Sequence, residues 1–245
     1  MIGYNTFMLK IKNLSKSFGS NVVLKDLTYH FKPKHIYALM GANGSGKTTL
    51  FNIISGFLHA DSGTILFNAK DISTFTPHRI AYLGVSRTFQ DMRLIPTLSV
   101  YDNLLLALKD KKTEKLPYAF LPAKKQSYPR IEELLKQTHL WGVRHSKASE
   151  ISYGQQKLLN LAIAMANDFD VLLLDEPVAG VQPEYRLQIL ELIKRLNKTI
   201  IVVEHNPEFL EALTEDILFL DGGKIIAEGS YDTIKSNKQV QEAYL

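Results

Sequence analysis

Residues 41–48 read GANGSGKT and fit the spacing GxxxxGK[ST] without a mismatch. Gly41, Gly44 and Gly46 let the backbone curl until successive N–H groups point inward, and a helix opening near Gly46 adds the positive end of its dipole. Such a turn cradles phosphate oxygens. The whole run Gly41, Ala42, Asn43, Gly44, Ser45, Gly46, Lys47, Thr48 and Thr49 is therefore a candidate nucleotide seat. Lys47 is spaced to reach β- and γ-phosphates, and the Thr48 hydroxyl to complete the shell of a Mg2+ ion.

A second stretch, VLLLDEP at 171–177, sets two acids at the end of an all-apolar run. In a parallel sheet that edge borders the ligand crevice. Asp175 suits holding Mg2+ through water, and Glu176 suits orienting or deprotonating an attacking water. His205 ends the strand TIIVVEH in the same way, which puts it at the same edge, where it can donate a hydrogen bond to a γ-phosphate. A third stretch, ISYGQQKLLNLAIAMAN at 151–167, predicts a helix over about 155–166 with Ser152 and Gly154 in front of it. That helix end attracts anions. A chain with a complete cradle at 41–48 has no use for a second one unless it serves a nucleotide held by another subunit.

The elements that must carry these residues follow from periodicity. FMLKIKN and LTYHF alternate apolar and polar residues around the turn-rich FGSN, which predicts half-exposed antiparallel strands. HIYALMG reads as a buried strand running into the glycine turn, and GSGKTTLFNIISGFL as a helix over about 46–57. SGTILFN is a further strand. From about 98 to 145 the pattern turns helical, with three prolines in LPYAFLPAKKQSYP. The α/β alternation then returns: VLLLDEP a strand, YRLQILELIKRL a helix, TIIVVEH a strand and ILFLDGGKIIAEG a hairpin about 221–223. A helical stretch is thus inserted into an α/β core.

Composition bounds the rest. A chain of 245 residues, 45 % hydrophobic, buries a substantial core. With no cysteine, disulfides and thiolate-bound zinc are excluded, and a reducing, cytosolic setting is expected. The start MIGYNTFMLKIKN lacks the order of a signal peptide, and apolar runs such as LLLALK fall well short of the ~20 residues that span a bilayer. The net charge of +4 is spread along the chain, so a nucleic acid partner is not expected.

With ISYGQ beside these motifs, the sequence from Phe7 to about Gly229 resembles the ATP-binding subunits of ABC transporters, whose signature usually reads LSGGQ; Tyr153 stands for its first glycine. The resemblance implies a P-loop NTPase core of mostly parallel sheet flanked by helices (1–93 and 169–245), with an N-terminal antiparallel β subdomain and an inserted helical subdomain (94–168). It implies ATP and Mg2+ as ligands and head-to-tail pairing with an identical or paralogous ATPase subunit. Transmembrane permease subunits would hold the chain peripherally at the cytoplasmic face of the inner (plasma) membrane. By the same resemblance Gln90 in SRTFQD is the glutamine that contacts metal or water, Ser152, Gly154 and Gln155 are signature residues, and His205 is the switch histidine. Phe18 in KSFG is similar to the aromatic that stacks on adenine, although the same residue type suits a core position. Gln182 in AGVQPE stands where many relatives have aspartate, which leaves the cross-subunit contact there open.

GVSRTFQDMRLIPTLSVYDNLLLA, ISYGQQ and DEPVAGVQP look like the ATPases of branched-chain amino acid importers. SVYDNL is shared in character with a lipopolysaccharide exporter ATPase. A soluble ABC-type ATPase acting on nucleic acid or ribosomes is a further alternative, but such proteins carry paired nucleotide domains or a coiled-coil insertion. A GTPase would need an NKxD motif, which is absent.

Overall fold

The computed structural model describes residues 8–108 and 128–243. Most of LPYAFLPAKKQSYP and part of the expected 98–145 helical stretch lie outside the described residues, as do Phe7 and the ends of the expected 1–93 and 169–245 segments.

The chain divides into two compact units, one of residues 1–90, 169–180 and 193–245, the other of 91–168 and 181–192. The sequence expectation for the helical part was 94–168. The helical unit also takes 181–192, because the residues that open its last helix pack on the signature segment within that unit.

In the first unit, β1 (Leu9–Phe18) and β2 (Asn21–Phe31) pair as an antiparallel hairpin, and β1 also pairs with β4 (Ser62–Phe67), which carries the short β5 (Lys70–Asp71). The second sheet has the order β10-β9-β3-β8-β7-β6. Its strands β3 (Ile36–Met40), β6 (Val85–Arg87), β7 (Val171–Asp175), β8 (Thr199–Val203) and β9 (Ile217–Asp221) run parallel, and β10 (Lys224–Gly229) returns antiparallel to β9 through the Gly222-Gly223 turn. Every residue of β7 and of β8 is buried. Such runs suit a sheet covered on both faces.

The two-residue period of a strand explains the covering. Tyr37 and Leu39 of β3 turn to a core shared with Leu9, Ile11, Phe31 and Phe51, whereas Ala38 and Met40 turn to the opposite side, with Leu210, Phe219, Ile234 and Val240. Leu210 sits on α7 (Pro207–Leu213), Ile234 on α8 (Tyr231–Ser236) and Val240 on α9 (Lys238–Ala243). Register then aligns the strand ends, since Leu39 and Asp175 both pair with Val203. The residues that follow β3, β7 and β8 therefore leave the sheet at one edge.

α1 (Lys47–Ile54) follows β3 and stops short of the expected residue 57. Gly56, at φ +76°, ends it, and the Phe57 N–H returns to the Asn52 carbonyl at 2.8 Å, the 6→1 bond of a Schellman turn. α2 (Pro77–Leu83) leads into β6.

The helical unit holds α3 (Val100–Ala107), α4 (Pro129–Gln137), α5 (Tyr153–Ala164) and most of α6 (Pro183–Arg195). Asn103 is buried and ties the segment before α3: its amide donates to the Ile95, Leu98 and Ser99 carbonyls and its carbonyl accepts the Ile95 N–H. α5 begins earlier than the expected residue 155. Ser152 is its N-cap, and Gln155 reaches back to the Ser152 N–H at 3.0 Å to complete a capping box.

Candidate functional site

A cavity of about 390 Å3 opens at the aligned strand ends of the first unit. It is lined by Asn43, Gly44, Gly46, Lys47, Thr48 and Thr49 after β3, Glu176 after β7, His205 after β8, Gln90 after β6, and Asn21, Val23 and Val203. Most of the sequence-predicted residues of this unit thus meet in one place.

The glycine turn is shaped by what it touches. A Cβ on Gly41 would meet the Leu220 carbonyl oxygen at 2.2 Å, and one on Gly46 would meet the Val23 carbonyl oxygen at 2.9 Å. Both have positive φ, so only glycine fits. The Lys47 ammonium folds onto the turn and donates to the Gly41 and Ala42 carbonyls at 2.7 and 2.9 Å. Burial pushes its pKa down, and the carboxylates of Glu176 and Asp175 pull it partly back. Ser45 Oγ is buried and has no hydrogen-bond partner among the described residues. An unspent hydroxyl in the glycine turn fits an anionic oxygen.

Glu176 sits at φ +47°, a left-handed backbone rare for a side chain of its size, and its N–H bonds the Val203 carbonyl at 2.9 Å. That turn brings its carboxylate between two partners. Gln90 Nε2 donates to Oε2 at 3.2 Å, and His205 Nε2 lies 3.9 Å from Oε1. A carboxylate held between an amide and an imidazole can orient a water and accept its proton.

His205 does not end the strand as the sequence suggests. β8 stops at Val203, and the buried Glu204 takes over the backbone, accepting the N–H of His205 at 2.9 Å and of Asn206 at 3.2 Å while its other oxygen accepts the Val178 N–H at 3.0 Å. Asn206 then caps α7.

Asp175 is only 4 % exposed and makes an ion pair with Arg87, Nη2 to Oδ2 at 3.1 Å. Phe18 does not line the cavity; it stands at the end of β1, 51 % exposed, with the Lys16 ammonium 5.5 Å from its ring centre. The core position that its residue type allowed is excluded by that exposure. Ser152, Gly154 and Gln155 belong to the helical unit, where Ser152 Oγ donates to the Tyr185 phenol oxygen at 3.1 Å. Gln182 is exposed just ahead of α6, and its carbonyl accepts the Tyr185 and Arg186 N–H groups.

Arg87, Glu204 and Tyr185 are the residues of these sites that sequence reasoning missed. Arg87 had a usable signal: a cation two residues after the buried Val85, next to the stretch that holds Gln90, needs an anion within the fold.

Comparison with known proteins supplies the context for this geometry. Residues 24–179 match the ABC transporter family, and residues 224–245 match a family described as branched-chain amino acid ATP-binding cassette transporter. The probable branched-chain amino acid transport ATP-binding protein LivG of Archaeoglobus fulgidus is 36 % identical, over 97 % of this chain and 95 % of its own. The high-affinity branched-chain amino acid transport ATP-binding proteins LivG of Escherichia coli and BraF of Pseudomonas aeruginosa are 32 % and 30 % identical, each over 97 % of both chains. Among solved structures, a nucleotide-free ATP-binding cassette from an ABC transporter aligns with TM-score 0.84 and 28 % identity, covering 98 % of this chain and 99 % of that one. A cassette in its ADP conformation aligns with TM-score 0.83 and 30 % identity, covering 97 % and 98 %.

Proposed function

The chain belongs to the ABC transporter family of ATP-binding cassettes, and we propose that it is the ATP-hydrolysing subunit of an importer of branched-chain or similar amino acids. The observation that carries the chemistry is the meeting of Lys47, Gln90, Glu176 and His205 in one cavity over the glycine turn. The second family match, over residues 224–245, supports the choice of cargo.

In this reading the turn from Gly41 to Thr49 holds the triphosphate, with Lys47 leaving its loop carbonyls for β- and γ-oxygens. Phe18 stacks on adenine. Glu176 orients the attacking water and takes its proton, and His205 donates to the γ-phosphate. Thr48, Gln90 and Asp175 offer the hard oxygen donors that Mg2+ accepts, and Mg2+ would neutralise charge on the phosphates. Among the described residues no group of three or more His, Cys, Asp or Glu side chains could hold a metal unaided, which suits an ion that takes the rest of its shell from water and phosphate.

Ser152, Gly154 and Gln155 open α5 toward a nucleotide held by a second copy or a paralogue, so ATP joins two subunits. Closure follows only to the extent that ATP binds the joined state better than the open one. No helix among the described residues is long and apolar enough to cross a membrane. In this reading the chain works peripherally, on the cytoplasmic face, against permease subunits that choose the cargo.

The test is reconstitution of the chain with its co-purified permease in liposomes holding ATP and Mg2+. Uptake of leucine, isoleucine or valine that stops with Glu176→Gln is the expected result. ATP hydrolysis accompanied by outward movement of lipid, with no amino acid uptake, would overturn the importer reading.

A further inference from the structure

Arg87 ends β6, and its side chain is 6 % exposed. Its guanidinium spans several partners: Nη2 meets Asp175 Oδ2 at 3.1 Å, while Nη1 donates to Asn52 Oδ1 at 2.7 Å and Ser55 Oγ at 3.0 Å. The plane is flanked by the rings of Phe89 and Phe51, 4.8 and 5.5 Å from Cζ. The next residue grips the same aspartate from the backbone side. Thr88 Oγ1 accepts the Asp175 N–H at 3.1 Å, and the Thr88 N–H bonds the Leu173 carbonyl at 2.9 Å. Asn52 and Ser55 lie at the end of α1, the helix that Lys47 and Thr48 begin.

A buried ion pair is a poor stabilising device, because desolvating both charges cancels most of their attraction. What a planar fork does supply is direction, since several fixed donors fix the angle of the carboxylate they hold. We propose that Arg87 is a positioning residue for the cation of the nucleotide site. By locking Asp175 to α1 and to the strand that runs into Gln90, it sets the orientation of all the cation's protein ligands together. The inference rests on the nucleotide reading above.

The test measures equilibrium binding of a fluorescent ATP analogue to the full chain in Mg2+ and in EDTA, with Mn2+ binding in the presence of ATP followed by electron paramagnetic resonance. Arg87→Lys keeps the charge and loses the fork. Outer residues that orient metal ligands are worth about 10–100-fold in metal affinity. Arg87→Lys is therefore expected to lose about tenfold or more of the Mg2+-dependent gain and of Mn2+ affinity, while binding in EDTA changes by less than about threefold because the glycine turn is untouched. A folded Arg87→Lys chain that keeps the wild-type Mg2+ gain and Mn2+ affinity overturns the proposal. If Arg87→Lys does not fold, Asn52→Ala with Ser55→Ala removes the two side-chain acceptors of Nη1 and leaves the ion pair; the same loss supports the proposal and an unchanged gain overturns it. A wild-type chain with no Mg2+ gain at all brings down the nucleotide reading and this proposal with it, whereas a gain retained in the variants brings down the proposal alone.

Discussion

The hydroxyl of Ser152 donates to the phenol oxygen of Tyr185 across 3.1 Å, and the ring of that tyrosine lies so close to Gly154 that a Cβ there would meet its Cδ2 at 2.3 Å. The start of α6 is thereby fitted to the start of α5, and the glycine is required by packing. Gly154→Ala should overpack the contact and destabilise the chain by about 1–3 kcal/mol in urea unfolding. Adding Tyr185→Ala removes the ring and should recover most of the loss. Simple additivity of the two changes would mean that the tyrosine is not what the glycine accommodates.

Glu176 is the second point of test. Glu176→Gln keeps the size of the side chain and the left-handed turn while removing the proton acceptor, so hydrolysis should fall by about 10²–10⁴-fold with nucleotide binding intact. Light scattering should then find a monomer without nucleotide and a dimer with ATP. A chain that remains monomeric at high protein and ATP concentrations would mean either that a different ATPase chain completes the site or that ISYGQQ does not serve a second nucleotide, and repeating the measurement with candidate partner subunits decides between the two.

The parts of the site that were legible in the sequence are those that local rules determine. GANGSGKT needs only its own glycines and the adjoining helix, and an all-apolar strand ending in acids announces its sheet edge. The capping box was equally local, because Ser152 and Gln155 are three residues apart, and overlooking it set the expected start of α5 too late. Arg87, Glu204 and Tyr185 are different. Arg87 reaches Asp175, Tyr185 reaches Ser152, and Glu204, besides the neighbouring N–H groups of His205 and Asn206, reaches Val178; no periodicity within a strand or helix encodes which distant backbone N–H or carboxylate the fold will bring to them. Phe18 shows the converse limit, since residue type alone left open a core position that its 51 % exposure excludes.

Glu204 offers a test of that hidden layer. Its carboxylate accepts the N–H groups of Val178, His205 and Asn206, so it fixes both the residues after Glu176 and the backbone of His205. Each buried donor left without an acceptor costs about 1–3 kcal/mol. Of these three N–H groups only the Val178 bond is buried, so Glu204→Leu should lose about 1–3 kcal/mol in urea unfolding, and kcat should fall further than KM rises, because His205 loses its anchor. Glu204→Gln retains an acceptor at one oxygen and should lie between the two. A Leu variant of native stability would mean that these N–H groups find other partners.

Lys47 gives a prediction in pH. Burial holds its pKa in the folded chain below the ordinary 10.5, despite the pull of Glu176 and Asp175. In the window between the folded and unfolded values, the unfolded chain carries a proton that the folded chain lacks, so raising the pH favours folding. Below the folded value both states are charged, and the cost of burying the ammonium is present in full. Lys47→Met keeps the aliphatic stem without the charge and so has no such dependence. The stability of the Lys47 chain relative to the Met variant should therefore rise as pH climbs through the window below 10.5, read by urea unfolding at each pH. A flat or falling difference would contradict the depressed pKa. Bound ATP should act in the opposite sense. Its phosphates stabilise the charged lysine, so the extra stability that ATP confers on the wild-type chain should shrink over the same rise in pH, as deprotonation of Lys47 removes the charge that the phosphates require.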